Sequence, residues 1–207
     1  MKRFFGLLFL VSLCLGAALK AQAETITLKY VSGNGATQGG YQVGPANGLV
    51  NGTNAIEMVC VDFAHNVHTG QQWTATVSTL TDVSGARWGS APNALQKYQK
   101  AAWLYDQFAT HTGSYGDIQF AIWNIFVPSA PDTAGSNYWL AQAQLHYAGY
   151  NYDKFLIYTP TNLSSNGPQE FITTTPEPAT MLLLGTGLAG LASRLRRRRR
   201  QNGSSGS

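Results

Sequence analysis

Cysteine is nearly absent. The 207 residues hold two, Cys14 and Cys60, and Cys14 lies in a segment that reads as removable, so the mature chain keeps Cys60 alone. One cysteine excludes an internal disulfide framework. In an exported protein it leaves three fates: buried and inert, paired with another chain, or reactive. Basic charge is missing from the middle. Nine of the fourteen Lys and Arg residues lie at the two ends, and residues 24–175 carry five basic residues against nine acidic ones, a net of −4. The formal charge of +4 therefore belongs to the ends, and no basic surface is left for a nucleic-acid partner. Long apolar runs are missing too. The stretch Ala179–Ala192 is fourteen residues with five Gly or Thr interruptions, short of the roughly 20 of a comfortable membrane span. Metal ligands are sparse. His65 and His68 stand three apart near Cys60, but no further Cys/His cluster completes a zinc set. They read as solvated loop histidines, and neither metal nor cofactor is expected. There is no internal repeat.

The two ends are targeting devices. Residues 1–23 have a basic start (Lys2, Arg3), an apolar stretch from Phe4 to Leu15 and the small-x-small site Ala21-Gln22-Ala23, which is a secretory signal peptide. Residues 24–175 are the exported domain, large enough for a core of its own. Residues 176–200 hold Pro176, Glu177 and Pro178, the apolar run and the arginine cluster ending at Arg200. Arginines at that end of a short helix keep it cytoplasmic with the folded domain outside. Residues 201–207 read as a flexible tail.

Within the middle, periodicity sets the class. Alternation predicts strands over Thr25–Val31, Ala55–Phe63 and Trp73–Leu80, with a short one around Tyr41 and Val43. In the Cys60 strand, Ile56, Met58, Cys60 and Asp62 share one face, and Glu57, Val59, Val61 and Phe63 the other. Trp73–Leu80 is a plausible partner for it. Helices follow at Pro92–Thr110 (Leu95, Tyr98, Ala102 and Tyr105 on one face), Tyr115–Phe126, and within Asn137–Tyr150 (Tyr138, Ala141, Leu145 and Ala148 on one face). Strands return at Lys154–Tyr158 and Gln169–Thr174. The expected fold is α+β: a small β-sheet or barrel with an inserted or packed block of about three helices.

The C-terminal order of Pro-Glu-Pro, short helix and basic cluster resembles the PEP-CTERM sorting signal of Gram-negative exopolysaccharide producers. The resemblance implies handling by an exosortase after signal peptidase: transient anchorage in the inner membrane, then release to the cell surface or extracellular matrix of a biofilm. Three further stretches resemble the thioester domains of bacterial surface adhesins. They are the apolar-flanked Cys60, the Ile118-Gln119-Phe120-Ala121-Ile122-Trp123 motif, and a late glutamine at Gln169. The resemblance implies an internal thioester between Cys60 and Gln169, with Gln119 and Trp123 as supporting residues and Asp62 placed to orient neighbours. It departs from the family where Met58 and Val59 precede the cysteine and Pro168 precedes the late glutamine.

Those residue types suit the chemistry. A thiol displaces ammonia from a glutamine amide, the fold stores the acyl-sulfur bond away from water, and a partner's amine later takes the acyl group. The expected partner is an amine-bearing surface protein or an amine-containing polymer. The reaction is single-use, so the protein is not an enzyme. Two other classes stay open. An aromatic-rich, charge-poor middle also fits a non-covalent exopolysaccharide- or matrix-binding module. A cysteine hydrolase would need His65, His68, His111 or His146 as the base for Cys60.

Overall fold

The computed structural model describes residues 24–175. The leader, Pro176, Glu177 and Pro178, the apolar run, the arginine cluster and the tail lie outside the described residues. In chain order come β1 (Thr25–Gly33), β2 (Thr37–Gln38), β3 (Tyr41–Gln42), β4 (Ala46–Val50), β5 (Asn54–Cys60) and β6 (Gln72–Thr79). Then come α1 (Ala94–Gln107), α2 (Tyr115–Phe126), α3 (Ala134–His146), β7 (Phe155–Pro160) and β8 (Phe171–Thr174). Six strands close into an antiparallel barrel in the order β1-β4-β5-β8-β7-β6, while β2 and β3 form a separate hairpin. This is the expected α+β class, with the sheet closed. Among the described residues no helix is long and apolar enough to cross a membrane.

The alternation along β5 explains why the barrel has two apolar faces. Ile56 and Met58 point inward and pack with Leu28, Ala75 and Phe171. Val59 and Val61 point outward, where they join Ile157 and Ile172 against Tyr98, Leu104, Ile118 and Ile122 of the helices. Each such aliphatic side chain contributes about 1.5–3 kcal/mol on burial. A six-stranded interior is narrow, and Gly48 on β4 makes room in it: a Cβ there would stand 3.0 Å from the Met58 thioether.

The middle helix α2 is buried on nearly every side, from Gly116 through Phe126, as a helix apolar all round must be. Asp117 sits in its first turn, where a negative charge is favoured. It ends at Val127, extended before Pro128 as the residue preceding a proline prefers. The α3 helix opens on a capping box between Thr133 and Ser136.

Several sequence expectations are corrected. Strand β5 stops at Cys60, so Asp62 is off the strand, in the turn beyond it. Strand β8 begins at Phe171, which leaves Gln169 in the preceding loop. Strand β6 pairs with β1 and β7, and β5 lies between β4 and β8. Leu95 faces solvent from α1. The inward face of α3 is Ser136, Trp139 and Ala143, while Tyr138, Ala141 and Leu145 are exposed. The reason is that the Trp139 ring finds Trp103 and His111 to pack on, and one large indole outweighs two alanines in choosing the buried side.

Candidate functional site

Cys60 is the last residue of β5, and the ladder with β8 pairs it with Phe171. One more backbone bond, Val61 N–H to the Glu170 carbonyl at 3.0 Å, carries the two chains past the strand ends. The Asp62 turn then folds back on the sulfur. Asp62 N–H donates to Sγ at 3.3 Å, and Sγ–H donates to the Asp62 carbonyl at 3.2 Å. Burial pushes the Cys60 thiol well above its ordinary range, and the Asp62 charge adds to the push. The Asp62 backbone and the Trp123 side chain draw it partly back.

Three of the four side chains expected around Cys60, those of Gln169, Gln119 and Trp123, meet there, while Asp62 reaches the sulfur through its backbone and turns its carboxylate to Arg87 and His65. Gln169 Nε2–H donates to the Asp62 carbonyl at 3.2 Å and to the His65 carbonyl at 2.5 Å. The Asp62 carbonyl is thus shared by Cys60 Sγ and the Gln169 amide, and the two can be no further apart than those two contacts laid end to end. Gln119, fully buried on α2, donates its Nε2–H to the Cys60 carbonyl at 2.7 Å, so it fixes the backbone under the sulfur. Trp123, one turn along, has a buried indole N–H close enough to the sulfur to draw its pKa down, though not aligned as a hydrogen bond. A cavity of about 430 Å³ is lined by Cys60, Gln169, Gln119, Trp123, Phe63 and Tyr41, among others, with no Asp, Glu, Lys, Arg or His in its wall.

The β2–β3 hairpin forms one wall of this cavity through Gly40, Tyr41 and Gln42. Tyr41 sets its ring edge-on to Phe63, Phe120 and Trp123 at centroid distances of 5.3, 6.2 and 5.9 Å. Gln38 ties the hairpin to Asp117 at the start of α2, at 3.0 Å. The same carboxylate oxygen accepts from Thr133, the cap of α3, at 2.6 Å. One aspartate therefore joins the hairpin to two helices.

Behind Cys60, on the helix side of β8, lies a cluster that the sequence reading missed. Arg87, from the loop before α1, sets its Nε 3.0 Å from Asp62 Oδ2 and donates NH2 to the Pro168 carbonyl at 2.9 Å. Its backbone N–H donates to Glu170 Oε2 at 2.7 Å. His65 Nδ1 lies 2.8 Å from Asp62 Oδ2, and its Nε2 lies 3.3 Å from Arg87 NH1. The contacts on Asp62 Oδ2 are close approaches rather than aligned hydrogen bonds. Since a guanidinium only donates, Nε2 must accept, and the ring proton sits on Nδ1 facing Asp62. His65 is therefore not the solvated loop residue expected of it, while His68 is exposed. Glu170 is fully buried and accepts from Tyr98 OH at 2.5 Å and Thr159 OH at 2.6 Å. Burial pushes its carboxyl up, against the pull of these donors and of Arg87. None of the four histidines lines the Cys60 cavity. His111 and His146 pack on the tryptophans of α1 and α3 instead.

Residues 174–199 match the PEP-CTERM protein-sorting motif. The motif marks an exported protein that an exosortase handles, with a C-terminal membrane-anchoring signal. The comparison with curated proteins gives no match. Among solved structures, the chain is similar to the N-terminal thioester domain of a surface protein from Clostridium perfringens. The TM-score is 0.45 at 11% identity, over 73% of this chain and 99% of that one. A likeness of that size leaves the chemistry of Cys60 to be judged from its own surroundings.

Proposed function

We propose that residues 24–175 form a covalent capture domain, displayed outside the cell, whose reactive group is a thioester between Cys60 and Gln169. The observation that carries this reading is the shared Asp62 carbonyl. It holds the thiol and the glutamine amide together at the wall of a cavity free of ionisable side chains other than Cys60 and tyrosines. In formation, Sγ attacks Cδ of Gln169, the C–N bond breaks, and ammonia leaves with the thiol proton. In capture, a neutral amine of the partner attacks the same carbon, the C–S bond breaks, and the amine proton passes to sulfur. Each molecule acts once. Holding the two groups side by side supplies the effective concentration that the first step needs. Gln119 fixes the Cys60 backbone, Trp123 and Tyr41 wall the cavity with aromatic rings, and the Trp123 N–H beside the sulfur, in no aligned hydrogen bond, is available to an acyl oxygen. Signal peptidase removes residues 1–23, and the partner is an amine-bearing surface protein or polymer.

Intact mass tests the reading. The processed domain is expected to weigh one ammonia less than its sequence and to leave Cys60 unlabelled by a thiol reagent while folded. An unshifted mass with full labelling of native Cys60 would sink it. The second reading is a non-covalent exopolysaccharide- or matrix-binding module. It draws on the cavity's mixture of aromatic rings with the neutral amides of Gln42 and Asn66. Saccharide binding by a protein of unshifted mass would favour it.

A further inference from the structure

We propose that Arg87 is a positioning residue for the Cys60–Gln169 pair, holding the turn after Cys60 and the segment around Gln169 beside each other; this rests on the capture reading above. The connection from Thr161 to Glu170 lies between β7 and β8, so Gln169 is held by no strand ladder. Arg87 grips that connection on both sides of Gln169: at the Pro168 carbonyl through its guanidinium and at the Glu170 carboxylate through its backbone N–H. The same guanidinium lies on Asp62, whose backbone N–H and carbonyl both contact the sulfur. One side chain thus spans the two segments that carry the reacting atoms, without touching those atoms itself.

The pair is poorly explained as a stabilising device. The Arg87 side chain is 9% exposed and that of Asp62 is 0% exposed, and a buried ion pair gains little over well-packed apolar residues once desolvation is counted. What it supplies is geometry. A planar fork meets Asp62 and Pro168 at once, and a lysine ammonium, a single point of charge, cannot do both. Misplacement by about an ångström costs on the order of a hundredfold in a proximity-driven step.

Two variants of the processed protein test this. Arg87→Lys keeps the charge opposite Asp62 but gives up the fork. The double variant Arg87→Gln with Asp62→Asn removes both charges together, and the Glu170 contact to the backbone of residue 87 survives in each. Both are expected to fold, as read by circular dichroism and thermal midpoint. In both, the fraction lacking ammonia should fall by roughly tenfold or more, and Cys60 should become open to a thiol reagent in the folded state. Arg87→Lys should retain more cross-link than the double variant. Folded variants with full ammonia loss and protected Cys60 would overturn the proposal, as would loss of the fold in both, which would make Arg87 structural. Should the wild-type protein itself show no ammonia loss, the capture reading fails and Arg87 is judged on labelling alone. It survives if native Cys60 labels roughly tenfold faster in Arg87→Lys than in wild type, and it falls if the rates are equal.

Discussion

A thiol whose ionisation is opposed by burial is a poor nucleophile at neutral pH, yet the same surroundings favour a neutral acyl-sulfur bond over a buried thiolate. In the proposed cross-link Cys60 would have only to react once, intramolecularly, and would then be better matched to its cavity than before. The two glutamines divide the work by what they touch. Gln169→Ala removes the acyl carbon, so ammonia loss should vanish and a thiol should appear in the mass of an alkylated, denatured sample. Gln119→Ala leaves the acyl donor but strands the part-buried Cys60 carbonyl, at up to about 3 kcal/mol. A cross-link that forms but hydrolyses faster is the expected result, followed by mass against time. Glu170 gives a pH dependence. Its carboxyl is raised above the unfolded value of 4.5, so its contribution is full below that pH and is lost as pH climbs through the raised native value. The wild-type thermal midpoint should fall over that rise relative to Glu170→Gln, which lacks the titrating group. Parallel curves for the two would show that Glu170 does not titrate differently in the native state.

At the scale of elements, the β2–β3 hairpin is a cavity wall whose seating depends on α2. A Cβ at Gly116 would fall 1.8 Å from Gln38 Oε1 and 2.6 Å from Gln38 Cβ, so Gly116→Ala must push the hairpin off the helix. Overpacking of this kind costs about 1–3 kcal/mol, and the specific readout is faster hydrolysis or labelling at Cys60. Gln38→Ala, which only cuts the tie to Asp117, should act in the same direction more weakly. Protection unchanged in both would show that the hairpin does not shield Cys60. How far these elements could be read in advance follows their patterns. Helix α2 is legible to the residue because Ile118, Ala121, Ile122 and Ile125 repeat at helical spacing and Pro128 stops it. Strand β4 is not, since its inward residues are Ala46, Gly48 and Val50, and an inward glycine leaves no hydrophobic signal. The meeting of Cys60 with Gln169 is suggested by motif order, but the cluster behind it is hidden. Arg87 and Glu170 are separated by 83 positions, and a charged residue in a loop reads as solvated until the fold buries it.

Across the whole molecule, the sorting motif and the proposed capture domain occupy separate stretches that meet at one point. The PEP-CTERM match begins at residue 174, the final residue of β8. Changing Pro176-Glu177-Pro178 to alanines should leave residues 24–175 folded and keep the unprocessed chain in the inner membrane, as cell fractionation with mass analysis would show. A processed, released variant would contradict the motif's role. The adjacency also has a mechanical side. A partner bonded to Gln169 hangs from a residue five positions before Thr174, so tension between that partner and the C-terminal side of the domain runs through β8 alone. The other five barrel strands and all three helices stand beside the line of pull. The bond would therefore keep its grip under loads that strip those elements away, much as a hook holds when its casing does not.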